Sequence, residues 1–373
     1  MNANNHPTSS APLHIALACG GTGGHIFPGL ATAEVLRASG HTVTLWLAGK
    51  DVESAAVSGW SGTVVTIPAQ GLPTRFSLRF IPAVWSLLRA MRVCRKKMRT
   101  QPPDVLLAMG SYASVGPIYA ALRGHVPVVL HEANVVPGRT IRLFSRWARA
   151  VAASFEASRF YLPHGRLVIT GMPLRRELEV ASRNFQRVTT AERFTVMVLG
   201  GSRGAHSLNE VASEALLALR ADGVPIQVIH LTGPADETEI RATYERAAVP
   251  HTVHAFTTQM AELYAATDLA VCRSGASTCA ELLAFGVPAL LVPYPFAAAN
   301  HQLANAQAMS RLGAADYVSE KNLSAAWLAD YLAARYRARE KLASMSAVGH
   351  AHRECCGAEA LAGLVEKTGR DHA

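Results

Sequence analysis

Twice along this chain an apolar run ends in a glycine-rich loop that opens into an alanine-rich helical stretch. The first instance joins residues 13–19 through Gly20-Gly21-Thr22-Gly23-Gly24-His25 to a helix predicted over 28–39. The second joins 194–199 through Gly200-Gly201-Ser202-Arg203-Gly204-Ala205 to a helix predicted over 208–221. Strand, glycine turn and helix in that order make the repeating unit of a parallel sheet covered by helices. More buried-strand runs follow each unit, at 42–47, 105–109, 127–131, 150–154 and 167–170, then at 226–231, 253–256, 269–272 and 289–292. The polar stretch 181–193 between the two series reads as a linker. The pattern predicts an α/β chain of two Rossmann-like, doubly wound domains with a cleft between them. A length of 373 residues agrees with two domains, and 50% hydrophobic residues excludes a disordered chain.

The loops limit the chemistry. Glycines let backbone approach a ligand closely, and a helix N-terminus offers free N–H groups and positive dipole density. A phosphate or diphosphate is the expected guest. The first loop is no dinucleotide fingerprint, because Ile26 stands where a third glycine is needed, and no Gly-Lys-Ser/Thr follows it. A nicotinamide-dependent oxidoreductase is disfavoured on the same ground. His25 lies at a helix start, where the dipole disfavours imidazolium and leaves the ring able to take a proton.

The net charge is +9, which favours anionic partners. Residues 75–99 carry eight basic residues and no acid, interleaved with Phe76, Leu78, Phe80, Ile81, Trp85, Leu87 and Leu88. Such a stretch fits docking on an anionic membrane surface; it also fits a core helix with a solvated basic face. No nucleic-acid-binding motif accompanies it, so nucleic acid is not an expected partner. The first twelve residues lack the apolar centre of a signal peptide, and no run of 18 apolar residues occurs. Six cysteines without a C-x-x-C pair fit a reduced, cytoplasmic compartment and no metal site.

Seven ordered segments then give a specific resemblance: GGTGGHIFPGL (20–30), PPDVLLAMGSYAS (102–114), PVVLHEAN (127–134), GMPLR (171–175), GGSRGA (200–205), CRSGASTCAE (272–281) and VPYPFAAANHQLANA (292–306). Over residues 15–365 the chain resembles the MurG family of bacterial N-acetylglucosaminyltransferases, whose architecture is GT-B. The resemblance implies inverting transfer of GlcNAc from UDP-GlcNAc to the C4 hydroxyl of MurNAc in undecaprenyl-diphosphate-MurNAc-pentapeptide (lipid I). The product would be lipid II, made for peptidoglycan at the cytoplasmic face of the plasma membrane by a peripheral enzyme. A related GT-B transferase with another sugar donor or lipid acceptor is the alternative, and a catalytically silent membrane-associated binding protein is a third. Retention of both His25 and Glu281 counts against the last.

Residue by residue, the resemblance makes His25 the favoured base and places Thr22, Gly23 and Gly24 beside the diphosphate and reacting sugar. Asn134 and Gln302 correspond to donor-sugar contacts, and Arg175 and Ser202 to the nucleotide-phosphate region. Phe256, Thr257 and Met260 fall on the uracil segment. Ala276, Ser277, Thr278, Cys279, Ala280 and Glu281 fall on the helix start that holds phosphate and ribose, with Glu281 accepting from ribose hydroxyls. Arg273 is a further candidate for balancing diphosphate charge. The sequence contains no D-x-D, so a metal-independent displacement without cofactor is the more economical mechanism. Four positions depart from the family pattern: Met172, Arg203, Thr257 and Asn300. The resemblance assigns 1–174 plus the helix 352–369 to an acceptor- and membrane-facing domain, and 175–351 to a donor domain.

Overall fold

Runs of Val, Leu, Ile and Ala buried on both faces form strands of parallel sheets, and here they assemble into two sheets. The computed structural model describes residues 11–49, 56–68, 80–185, 192–201, 204–352 and 356–372. In chain order the first series is β1 (His14–Ala18), α1 (Gly23–Ala38), β2 (Thr42–Leu47), β3 (Val64–Thr66), α2 (Phe80–Thr100), β4 (Val105–Ala108), α3 (Val115–Arg123), β5 (Val128–Glu132), α4 (Arg139–Phe144), β6 (Ala150–Ala153) and β7 (Leu167–Ile169). The second begins with α5 (Arg176–Arg183), β8 (Phe194–Leu199), α6 (His206–Ala221), β9 (Ile226–Leu231), α7 (Glu237–Arg246), β10 (His251–His254) and α8 (Met260–Ala265). It continues with β11 (Leu269–Cys272), α9 (Ala276–Phe285), β12 (Ala289–Leu291), α10 (His301–Leu312), β13 (Ala315–Tyr317), α11 (Ala325–Arg337), α12 (Arg339–Ala351) and α13 (Gly357–Arg370).

The sheets run β3-β2-β1-β4-β5-β6-β7 and β10-β9-β8-β11-β12-β13, with every pairing parallel. Both orders reverse once, at β1/β4 and at β8/β11. Ligands of open α/β sheets bind at the carboxyl ends of strands, in the crevice where the order reverses. The first glycine loop leaves β1 and the second leaves β8, so each opens at its sheet's reversal point.

Residues 170–175 make the first crossing between the sheets, and α13 returns to pack on the first sheet. They touch: a Cβ on Gly357 would lie 2.6 Å from the Met172 carbonyl oxygen, so only glycine fits. Beside them Arg183 bridges Glu179 at 3.0 Å and Glu359 at 2.8 Å. The last helix, α13, packs on α1 and β4 and buries Leu361, Ala362 and Val365 in the first sheet's core. Its Glu366 lies 3.3 Å from His41.

Five elements differ from the sequence reading. α1 starts at Gly23, because the glycine loop turns directly into the helix. Residues 181–183 close α5 instead of opening a linker. β10 ends at His254, which leaves Phe256 and Thr257 in a loop. β3 and β13 were not expected; each is three residues at a sheet edge.

Of the basic stretch 75–99, residues 75–79 lie outside the described residues, as do the side chains of 80–84. The rest of α2 is amphipathic. Ala90, Cys94 and Met98, spaced four apart, are buried against α3, where Gly116 allows close approach to the Cys94 sulfur. Arg92, Arg95, Lys96 and Arg99 are exposed, and so are Trp85 (62%) and Leu88 (47%). Among the described residues no helix is long and apolar enough to cross a membrane.

Candidate active site

The first half of the site forms where the loops after β1, β4 and β5 meet. Thr22 caps α1 in extended conformation, and its carbonyl accepts the N–H groups of His25 and Ile26 at 3.0 and 3.1 Å. Its hydroxyl shares a 2.9 Å hydrogen bond with His25 Nδ1. The other ring nitrogen turns to the loop after β4, where a Cβ on Gly110 would lie 3.5 Å from Nε2. That loop is held by Ser111 at φ 64°, whose hydroxyl donates to the Gly20 carbonyl. Thr140 Oγ1 in turn donates to the Ser111 carbonyl at 2.8 Å. Desolvation lowers the pKa of His25 to about 4, so its imidazole is neutral at physiological pH.

Below this surface, His131 and Glu132 end β5 fully enclosed. Burial, aided by the nearby His25, pushes the His131 imidazole down to about 4. Burial pushes the Glu132 carboxyl up to about 6, against the hydrogen bonds it accepts. Those come from the N–H groups of Asn134 and Gly138 at 2.9 and 2.8 Å and from the Asn134 side chain at 3.3 Å. Glu132 thereby fixes the 132–138 turn and aims Asn134.

The second half lies at β8/β11. α9 begins at Ala276 after Gly275 with no side-chain cap, so Ala276, Ser277 and Thr278 present a bare first turn whose N–H groups suit an anion. Gly204 holds the second loop against β9: at φ 77°, a Cβ there would sit 2.2 Å from the Thr232 carbonyl oxygen. Ser202 and Arg203 lie outside the described residues. Glu281, half-buried on α9, accepts the Tyr264 hydroxyl at 2.8 Å. Burial raises its carboxyl pKa, while the Tyr264 hydroxyl and the charge of Arg175 pull it back. Arg175 starts α5 with its guanidinium 5.9 Å from the Phe27 ring of α1, so it spans the cleft. Gln302, at the start of α10, accepts the Tyr294 N–H at 2.9 Å through its side-chain oxygen and leaves its amide NH2 to donate. Thr257 ties the turn before α8 by accepting the Gln259 N–H at 3.0 Å. Phe256 is exposed and Met260 buried.

The family-28 glycosyltransferase sequence patterns match both halves of this arrangement. Glycosyltransferase family 28 N-terminal domain covers residues 15–153, and glycosyltransferase family 28 C-terminal domain covers 195–355. A Bordetella petrii protein is 37% identical over 364 residues, 97% of this chain and 99% of its own length. A Geobacter sulfurreducens protein is 34% identical over 358 residues, 95% of this chain and 98% of its own. Both are named UDP-N-acetylglucosamine–N-acetylmuramyl-(pentapeptide) pyrophosphoryl-undecaprenol N-acetylglucosamine transferase. The chain belongs to the MurG family. The crystal structure of Acinetobacter baumannii MurG superposes with a TM-score of 0.79 at 26% identity, covering 95% of this chain and all of that one. The calicheamicin glycosyltransferase CalG4, 15% identical with a TM-score of 0.70, shares the GT-B fold.

Within this MurG-family frame, two expected contacts are turned to other work. The Arg273 guanidinium is 7% exposed and bidentate to Glu320 at 3.0 and 3.2 Å, with the Val292 carbonyl at 3.2 Å. It braces the loop after β11, and its charge is already balanced there. The Cys279 thiol is fully enclosed in the core, which pushes it up to about 12, so only its backbone faces the helix start. One residue was not singled out from sequence. Asn305 on α10 is fully buried between the domains. It donates to Asn134 Oδ1 and to the Ser274 carbonyl, both at 3.1 Å, and accepts the Val135 N–H at 3.0 Å. Its only signal in sequence was its place in the segment 292–306, three residues beyond Gln302.

Proposed function

We propose that this protein transfers GlcNAc from UDP-GlcNAc to the C4 hydroxyl of MurNAc in lipid I, forming the β-1,4 bond of lipid II. The observation that carries the reading is the hydrogen-bonded path Glu132–Asn134–Asn305–Ser274, which ties the turn after β5, next to the His25 loop, to the loop that leads into the bare N-terminus of α9. A diphosphate on the first turn of α9 would leave its sugar between those surfaces. The donor half is 175–351, with uracil by Phe256 and Met260, ribose on Glu281 and sugar hydroxyls on Asn134 and Gln302. The acceptor half is 1–174 with 352–369, the stretch that holds the returning helix α13 (Gly357–Arg370).

In this reading the neutral His25 ring takes the proton of the attacking hydroxyl, with Thr22 fixing its orientation. Binding of the donor diphosphate brings negative charge beside the ring and raises its pKa toward the range where a base works well. Arg175 and the helix N–H groups stabilise the departing UDP. The exposed basic face of α2, with Trp85 and Leu88, docks the protein peripherally on an anionic cytoplasmic leaflet, where the lipid-linked acceptor resides.

The test is UDP release from UDP-GlcNAc with and without a lipid I analogue, in EDTA. Acceptor-dependent release supports the reaction and its independence from metal. Donor binding without release would overturn the assigned acceptor. For the membrane face, replacing Arg92, Arg95 and Arg99 by Gln should abolish co-sedimentation with phosphatidylglycerol vesicles while release from a soluble analogue persists. Unchanged sedimentation would sink that part.

A further inference from the structure

One helical turn past Asn305, α10 borders a cavity of about 630 Å³ between the two domains. Its walls are Phe155 and Phe160 from the segment after β6, Met172 and Leu174 from the first crossing, and Leu283 and Ala308 from α9 and α10. This volume lies inside the range of about 300–1,000 Å³ typical of small-molecule sites, and the lining is mostly apolar as such sites are. Phe160 is 87% exposed, a large apolar ring left in water beside the cavity.

The polar groups at the cavity sort by charge. Glu156 is spent on Arg159 at 2.8 Å. Arg311 is exposed and has no acidic partner among the described residues. His352 donates from Nδ1 to the Val348 carbonyl at 3.0 Å, so in the neutral ring Nε2 is an acceptor and offers nothing to an anion. An apolar chamber with one uncompensated cation rejects sugars and nucleotides. It fits an alkyl chain ending in a single negative charge.

We propose that this interdomain cavity binds a long-chain fatty-acid carboxylate, chain inward and carboxylate on Arg311. The cavity touches the first crossing through Met172 and Leu174 and the end of α12 through Ala351. An occupant therefore bears on the crossing at 170–175, on the end of α12 and on α10, whose Asn305 joins the domains. Filling the cavity sets the angle between the acceptor and donor halves, and the protein reads fatty-acid supply through it. This inference stands on the cavity alone and does not depend on which sugar or acceptor the cleft takes.

The experiment is a fluorescence titration of the full chain with cis-parinaric acid, displaced by oleate. Saturable binding is expected, with oleyl alcohol displacing the probe about tenfold less well than oleate for want of the charge. Ala308→Trp, which fills the chamber, should abolish binding while UDP binding shows that the fold is intact. The surface change Arg311→Glu cannot disturb a core and should weaken binding about tenfold or more. Probe binding that is unsaturable, or equal in native protein, Ala308→Trp and Arg311→Glu, overturns the proposal. Displacement by phosphatidylglycerol vesicles but not by oleate also overturns it, in favour of a two-chain lipid.

Discussion

At the scale of single residues burial acts in opposite senses on two groups of the proposed site, favouring the neutral form that His25 needs and opposing the ionised form that Glu281 needs. Desolvation holds His25 neutral, with a pKa of about 4, while raising Glu281 above the ordinary carboxylate range. A base must be neutral to act, so burial favours the working form of His25 at the cost of basicity. Replacing His25 by Ala should lower kcat by ~10²–10⁴ with UDP affinity little changed, which calorimetry with UDP separates from turnover. An unaltered rate would remove the ring from the chemistry. In the proposed reading Glu281 accepts two ribose hydroxyls, for which it must be ionised. Because its carboxyl is raised, it takes up its proton at a higher pH than a free carboxylate. Donor KM should therefore rise as pH falls into the acid range. Glu281→Gln should raise donor KM about tenfold at neutral pH and flatten that dependence, since the amide no longer titrates. A KM that still climbs steeply in acid would assign the titration to another group.

At the scale of elements, the glycine loops decide which parts could be read in advance. A strand covered on both faces is a continuous apolar run, so the central strands were legible from composition alone. β3 and β13 were not, because three-residue edge strands such as Val64–Thr66, half-exposed, carry neither a continuous run nor clean alternation. The loops were legible as candidate phosphate sites because glycine has few other reasons to cluster between strand and helix. What each glycine does needed the fold. Gly204 combines φ 77° with a carbonyl oxygen 2.2 Å from where a Cβ would stand. Gly204→Ala should therefore cost at least ~1–2 kcal/mol from the left-handed backbone alone, with the contact adding to it. Thermal denaturation would show a lowered Tm and titration a weakened UDP affinity. Normal values of both would mean that the turn after β9 yields freely. The second role of Arg273 was hidden for a related reason. Its partner Glu320 lies 47 residues away, and no local pattern couples them.

At the scale of the whole molecule, the question is how two domains, proposed to bind one half of a reaction each, find one geometry. The sequence showed two domains and a cleft but not what joins them, because the joint is a contact between residues 171 positions apart. Asn305 supplies it: one enclosed amide satisfies a backbone N–H on the acceptor side, a backbone carbonyl on the donor side and the Asn134 amide between them. Removing it leaves Val135 N–H and the Ser274 carbonyl without this partner, at about 1–3 kcal/mol for each group that stays buried. The domains can avoid that cost only by letting water in, which means separating. Asn305→Ala should therefore lower kcat, leave UDP affinity near native because uracil and ribose groups sit within one domain, and raise the radius of gyration in small-angle scattering. Asn134→Ala should show the same direction, and the double variant should lose less than the two singles together, since both cut one path. If the losses simply add and the scattering profile is native, the two amides act separately and the domains are held by other contacts.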